Sequence, residues 1–192
     1  MELFVIRHTA VALAPGRCYG QANVPLADSF DLDAGAVLEG FSAPVDLVFT
    51  SPLSRCRRLA ERVPASSLVS DDRLLEVSFG EWEGCRWDEL PETAVRNWAD
   101  DFVHASPPGG ESLVSLAART ADFLEYLRKE PYQRVAVVTH AGPVRCVWAH
   151  LLGIPLSHIF RLDIPFGHGY RFELGPSPAF DRWVGSFPAV SF

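Results

Sequence analysis

Leu3-Phe4-Val5-Ile6-Arg7-His8-Thr9 is the stretch on which the reading of this chain turns. Four consecutive apolar residues, β-branched or aromatic enough for a buried strand, run straight into a cation and an imidazole. In open parallel sheets, ligands sit just beyond the carboxyl ends of the strands. That placement makes His8 a candidate nucleophile and Arg7 a candidate phosphate clamp. Read alone, the pair serves equally well as solvated residues closing an edge strand.

The same pattern recurs further along. Arg134-Val135-Ala136-Val137-Val138-Thr139 is apolar almost throughout and reads as a central parallel strand. It ends at His140, and Ala141-Gly142-Pro143-Val144-Arg145 opens a helix. Asp46-Leu47-Val48-Phe49-Thr50 reads as a third strand, followed by Ser51-Pro52-Leu53-Ser54-Arg55. Ser51 is placed to cap a helix and Pro52 to occupy its first turn. Free N–H groups there form an anion seat, and Arg55, one turn in, points back at it. Arg57, Arg58 and Arg62 fit a solvated basic face. Two histidines at strand ends and an arginine at a strand–helix junction reinforce one another, and the alternation of elements indicates an α/β chain.

Between these junctions lie the loops. Pro15, Gly16 and Gly20 keep residues 10–21 out of a helix, so this segment lies over the strand end and offers Arg17, Tyr19 and Gln21 as substrate contacts. A short helix is expected over Asp33–Gly40. Leu74 to Gly84 carries Glu76, Glu81 and Glu83 among aromatics and glycines. A carboxyl held against apolar surface can serve as a general acid near neutral pH, but the residues alone do not say which of the three is so held. Trp87–His104 contains two helical fragments, and Ser106–Ser112 is a loop. Leu113–Lys129 is a helix whose Leu113, Leu116, Ala117, Phe123, Leu124 and Leu127 form a packing stripe. Beyond Leu151 the expected elements are short strands at 162–165, 169–174 and 181–184, punctuated by prolines. His150, His158 and His168 read as structural or exposed.

Composition narrows the function classes. The chain has 192 residues, 48% of them hydrophobic, which suits one globular domain spanning 1–192. A net charge of −7 leaves no global basic footprint for nucleic acid, so local arginines point to a small anion. Cys18, Cys56, Cys85 and Cys146 contain no CxxC pair and read as reduced thiols. Four apolar residues before Arg7 are too few for a secretory segment, and no run approaches the roughly 18 needed to span a membrane. The expectation is a cytoplasmic protein with no membrane or nucleic-acid partner.

Taken together, these motifs resemble the histidine phosphatase superfamily, the phosphoglycerate mutase-like proteins. Arg7-His8-Thr9 is similar to the family's Arg-His-Gly signature, and Ser51-Pro52-Leu53-Ser54-Arg55 to its Ser-Pro-Leu-x-Arg element. Leu75-Glu76-x-x-Phe79-Gly80-x-Trp82-Glu83-Gly84 resembles its acid-bearing loop. Gly109-Gly110-Glu111-Ser112 and Thr139-His140-Ala141-Gly142 resemble two further elements, all in family order to about residue 175. Gly16 to Leu26, with Cys18-Tyr19-Gly20-Gln21 at its centre, is similar to the α-ribazole phosphatase branch. Thr9 stands where glycine is usual, Ala10 and Val11 where polar residues follow, Asn23 where aspartate is common, and Ala141 where a glycine follows the second histidine.

The resemblance implies a three-layer α/β/α sandwich around a mostly parallel sheet. It also implies a metal-independent, cofactor-free, acid-type phosphatase of a small phosphorylated metabolite, with α-ribazole 5′-phosphate of cobalamin synthesis as the branch substrate. It assigns His8 as the nucleophile that becomes phosphohistidine, and its other ring nitrogen should then donate to a backbone carbonyl. Arg7, Arg55 and His140 hold the phosphoryl oxygens, and Glu76 is singled out as the general acid. Thr9, Arg17, Tyr19, Gly20, Gln21, Ala141 and Gly142 are the expected substrate contacts. A broad sugar or nucleotide phosphatase, a phosphoglycerate mutase and a non-catalytic phospholigand-binding module are the competing readings. A metal hydrolase lacks a carboxylate-rich ligand spacing.

Overall fold

A computed structural model describes residues 1–188. The apolar runs become strands β1 (Glu2–Arg7), β2 (Leu47–Thr50) and β4 (Arg134–Thr139). With β3 (Leu68–Ser70), β5 (Gly169–Glu173) and β6 (Arg182–Phe187) they form one sheet in the order β3-β2-β4-β1-β5-β6. The β1–β4, β2–β4 and β2–β3 pairs are parallel, while β5 runs antiparallel to both β1 and β6.

Alternation along the central strands divides the core in two. Leu3, Val5, Phe49, Val135 and Val137 face α4 (Leu113–Arg128) and α5 (Ala141–Leu152). Phe4, Ile6, Val48, Ala136 and Val138 face α1 (Phe30–Leu38) and α2 (Ser54–Ala60). Helices cover both faces, so strands apolar on both sides are required, giving the three-layer α/β/α sandwich. Each such side chain, fully buried, contributes about 1.5–3 kcal/mol.

Several boundaries differ from those expected. α1 begins at Phe30, three residues early, because Phe30, Ala34 and Val37 make the buried stripe. α2 begins at Ser54 with Leu53 extended before it, so Ser51 is not its cap. The Ser51 hydroxyl lies 2.8 Å from His140 Nε2 and only 3.4 Å from the Leu53 amide, so it serves the imidazole instead. The first amide of α2, Ser54 N, donates to Asn23 Oδ1 at 3.1 Å, so that part of the expected anion seat is already taken. In α4 the buried stripe includes Thr120, whose hydroxyl donates to the Leu116 carbonyl at 2.9 Å. Residues 162–165 form no strand, because the Leu162 and Ile164 carbonyls accept from Arg145 and Arg7. The Trp87–His104 region contains α3 (Glu92–Asp100), a helix with no buried residue. No helix among the described residues is long and apolar enough to cross a membrane.

Candidate active site

Strand order places the carboxyl ends of β1, β4 and β2 side by side. Arg7 is opposite Thr139 and Thr50 opposite Val138, so His8, His140 and Ser51 emerge from adjacent strands. The His8 amide donates to the Thr139 carbonyl and the Ser51 amide to the Val138 carbonyl, which extends the ladder into the site. The His8 and His140 rings meet edge to face with centroids 5.1 Å apart.

His8 is 2% exposed, and its Nδ1 lies 2.7 Å from the Thr9 carbonyl. A carbonyl only accepts, so Nδ1 carries the proton and Nε2 keeps its lone pair. Burial, then the Arg55 charge, pushes the imidazole from an ordinary 6.5 down to about 3, with the Thr9 bond opposing and Arg7 assisting. His140 moves in the same direction, through burial first and then His8 and Arg55. Arg55 Nε donates to His140 Nδ1 at 3.2 Å, leaving Nε2–H to donate to Ser51 Oγ. Both rings are therefore neutral, in opposite tautomers.

Arg55 is wholly buried and has no carboxylate partner among the described residues. Its Nη1 donates to the Ala22 carbonyl at 2.7 Å and its Nη2 to the Gly20 carbonyl at 2.6 Å. Three of its five N–H groups are thus committed and two remain. Tyr19 lies against this guanidinium, 5.4 Å from ring centroid to Cζ. Arg7 donates through Nη1 to the Ile164 carbonyl, stacks on Phe166, and keeps a buried Nε with no partner among the described residues. Burial lowers the pKa of both arginines. Two desolvated cations beside two neutral imidazoles make a seat that calls for an anion.

The three loop acids separate clearly. Glu83 accepts from the Gln21, Ala22 and Phe79 amides at 2.8, 2.6 and 3.0 Å, bracing the two loops together. Glu81 is exposed. Glu76 lines both pockets of the site. Its Oε1 accepts from the Val77 and Gly142 amides at 3.0 and 3.1 Å, and Oε2 accepts from the Gly142 amide at 3.3 Å and from no other donor among the described residues. Its surroundings combine aromatic wall with amide donors, rather than apolar surface alone. The main chain of Glu76 is pinned by Arg119, itself paired with Glu111 of the Gly-Gly-Glu-Ser element at 2.8 Å. Gly80, at φ +52°, lets this loop approach the 108–110 backbone, where a Cβ would meet the Pro108 carbonyl at 2.2 Å.

The expected substrate contacts fall into groups. Arg17, Tyr19 and Gly20 line a pocket of about 160 Å³ with Glu76, although Arg17 also donates to the Gly84 carbonyl. Ala141 and Gly142 line a second pocket, of about 170 Å³, on the other side of Glu76. The Gln21 side chain is committed to the protein, donating to the Glu76 carbonyl at 3.0 Å. The Thr9 side chain is fully buried, its hydroxyl has no partner among the described residues, and its carbonyl orients His8. Sequence reading passed over Phe166 and Arg145. Arg145 had a usable signal, since it lies four residues after Ala141 on the same helix and so shares its face.

The family model described as histidine phosphatase superfamily (branch 1) matches residues 3–179. The chain belongs to the histidine phosphatase superfamily. Among its relatives, phosphoserine phosphatase 1 of Hydrogenobacter thermophilus is 30% identical over 82% of this chain and 79% of that protein. The adenosylcobalamin/alpha-ribazole phosphatase of Escherichia coli is 31% identical over 85% of this chain and 86% of that one. The solved alpha-ribazole phosphatase of Shigella flexneri superposes with a TM-score of 0.87 at 25% identity, covering 96% of this chain and 95% of that one. As a histidine phosphatase, the chain has the mixed six-stranded sheet flanked by helices of these relatives. Among the described residues, no three His, Cys, Asp or Glu side chains cluster to hold a metal ion.

Proposed function

We propose that the protein hydrolyses a phosphate monoester through a phosphohistidine on His8. The observation that carries this reading is the buried, carboxylate-free Arg55 next to a neutral His8 whose Nε2 lone pair is unengaged. The lone pair attacks phosphorus in line, and the P–O ester bond breaks. Glu76, protonated on its freer Oε2, gives its proton to the departing alkoxide. Water then attacks the phosphohistidine, Glu76 takes its proton, the N–P bond breaks and inorganic phosphate leaves. Arg7 and Arg55 offset the charge on the phosphoryl oxygens in both steps, with the neutral His140 beside them. No metal or cofactor enters this scheme.

Within that chemistry, α-ribazole 5′-phosphate is the substrate the reading favours. The Cys18-Tyr19-Gly20-Gln21 motif supports it, as does the similarity to alpha-ribazole phosphatases. The larger pocket beside Glu76 supports it too, because Phe79, Trp98, Phe102 and Phe160 offer aromatic surface to a heteroaromatic leaving group.

The test is a panel of phosphorylated metabolites in EDTA, including α-ribazole 5′-phosphate, phosphoserine and 3-phosphoglycerate. Hydrolysis with acid-labile phosphate on His8 is expected. His8→Ala should abolish turnover, and Glu76→Gln should lose on the order of 10²–10⁴ on substrates with poor leaving groups. Turnover surviving His8→Ala overturns the mechanism. A higher kcat/KM for phosphoserine than for α-ribazole 5′-phosphate overturns the substrate.

A further inference from the structure

Among the described residues, ten of the sixteen arginines pair with a carboxylate. Of the six others, Arg58 and Arg161 are exposed, while Arg7, Arg17, Arg55 and Arg145 surround Glu76. Arg7 and Arg55 are accounted for by the phosphoryl group. Arg17 is exposed and spends Nη1 on the Gly84 carbonyl. Arg145 is different. It is half-buried in the wall of the larger pocket, and its Nε donates to the Leu162 carbonyl at 3.2 Å. Its Cζ lies 5.3 Å from the centroid of Phe160, and neither terminal nitrogen has a hydrogen-bond partner among the described residues. Glu76 and Asp163 are the acids that act on it most, and neither reaches salt-bridge distance. Besides Glu111, whose carboxylate is paired with Arg119, the remaining lining is apolar and includes Val77, Phe79, Trp98, Leu113 and Ile159.

An unpaired guanidinium in an apolar wall is costly unless something binds it. Its fork of terminal N–H donors matches two oxygen acceptors side by side. We infer that Arg145 selects the leaving group, holding a pair of oxygen acceptors on an alcohol whose apolar body lies against the aromatic wall. A carboxylate and a vicinal sugar diol share that chemistry. The inference rests on the phosphomonoesterase reading and adds to it a specificity-determining residue on α5.

Two substrate pairs separate the sources: 4-carboxyphenyl phosphate against phenyl phosphate, and adenosine 5′-phosphate against its 2′,3′-dideoxy counterpart. The expected result is a preference of about tenfold or more in kcat/KM for the acceptor-bearing member of at least one pair. That ratio should fall towards one in Arg145→Met and be only partly restored in Arg145→Lys, which has the charge without the fork. Calorimetry of 4-hydroxybenzoate against phenol, and of adenosine against 2′,3′-dideoxyadenosine, reads the same contact with no turnover, so a folded but inactive variant does not hide the answer, and circular dichroism identifies a misfolded one. Failure of wild-type protein to hydrolyse any of these four phosphates overturns the phosphomonoesterase reading. Hydrolysis or binding with no preference in either pair, or a preference that survives Arg145→Met, overturns the role of Arg145.

Discussion

The Arg7 guanidinium lies 3.6 Å from the centroid of the Phe166 ring, and the same ring packs 5.4 Å from the His8 imidazole. The segment around Phe166 also fixes the backbone of both residues. His168 accepts from the Arg7 amide at 2.9 Å, and Gly167 donates to the His8 carbonyl at 3.0 Å. A stacked ring holds a guanidinium flat, so that its edge faces one direction. Such a cation–π contact is worth about 0.5–2 kcal/mol. Phe166→Leu should therefore lower kcat/KM by roughly 2- to 30-fold, mostly through KM, while Phe166→Tyr keeps the stack and the activity. Steady-state kinetics on both variants would show it, and an unchanged KM in Phe166→Leu would remove the positioning role.

Gly142 supplies a second handle. A Cβ at this position would stand 2.2 Å from Glu76 Oε1 and 2.9 Å from Leu116 Cδ2. Both are side-chain atoms that can swing aside, so the backbone survives while the carboxylate loses its place. Gly142→Ala should melt within a few degrees of wild type yet lose about 10²-fold or more in kcat, approaching the loss in Glu76→Gln. Circular dichroism and turnover on the same sample separate the two effects. Full activity in Gly142→Ala would show that the placement of Glu76 is not critical.

The strands and their terminal histidines are legible in the sequence because an apolar run buried on both faces leaves little choice of layer. His8, His140 and Arg55 follow, since each stands at the end of such a run or one turn beyond it. The division of labour among loop residues is not legible locally. Glu76, Glu81 and Glu83 look alike in composition. What distinguishes Glu83 is a set of amides that includes Gln21, 62 residues away. Phe166 escaped for the same reason, since its segment meets Arg7 across 157 residues. Ser51 and Pro52 misled in the opposite direction: their local capping chemistry is sound, but His140 claims the hydroxyl.

Glu83 should behave as a brace rather than an acid. It is the acceptor for three backbone amides from two loops, and removing it leaves those donors unsatisfied. Each such loss costs about 1–3 kcal/mol when the donor is buried, less where water reaches it. Glu83→Ala should therefore lower the urea midpoint substantially, and any remaining folded enzyme should keep its leaving-group dependence. A stable Glu83→Ala protein that had lost only its response to poor leaving groups would instead make Glu83 the proton donor.

The buried histidines set the acid limit of the fold. In the native state His8 stays neutral down to about pH 3, whereas in the unfolded chain it titrates near its ordinary 6.5. Between those values the unfolded state binds a proton that the native state refuses, so stability is complete above 6.5 and falls as the pH drops. The slope is about 1.4 kcal/mol per pH unit for one such histidine, and His140 contributes with the same sign. Urea midpoints should fall steadily between pH 7 and pH 5, before most carboxylates titrate. Asparagine at position 8 can still donate to the Thr9 carbonyl but does not titrate, so His8→Asn should lose a large part of that slope. Catalysis should not follow the same curve from the nucleophile's side, because a neutral His8 is already the attacking form at pH 5. A slope unchanged in His8→Asn would mean that the native imidazole takes up its proton over the same range as the unfolded one, and the Nε2 lone pair would then be lost to protonation below about pH 6.5.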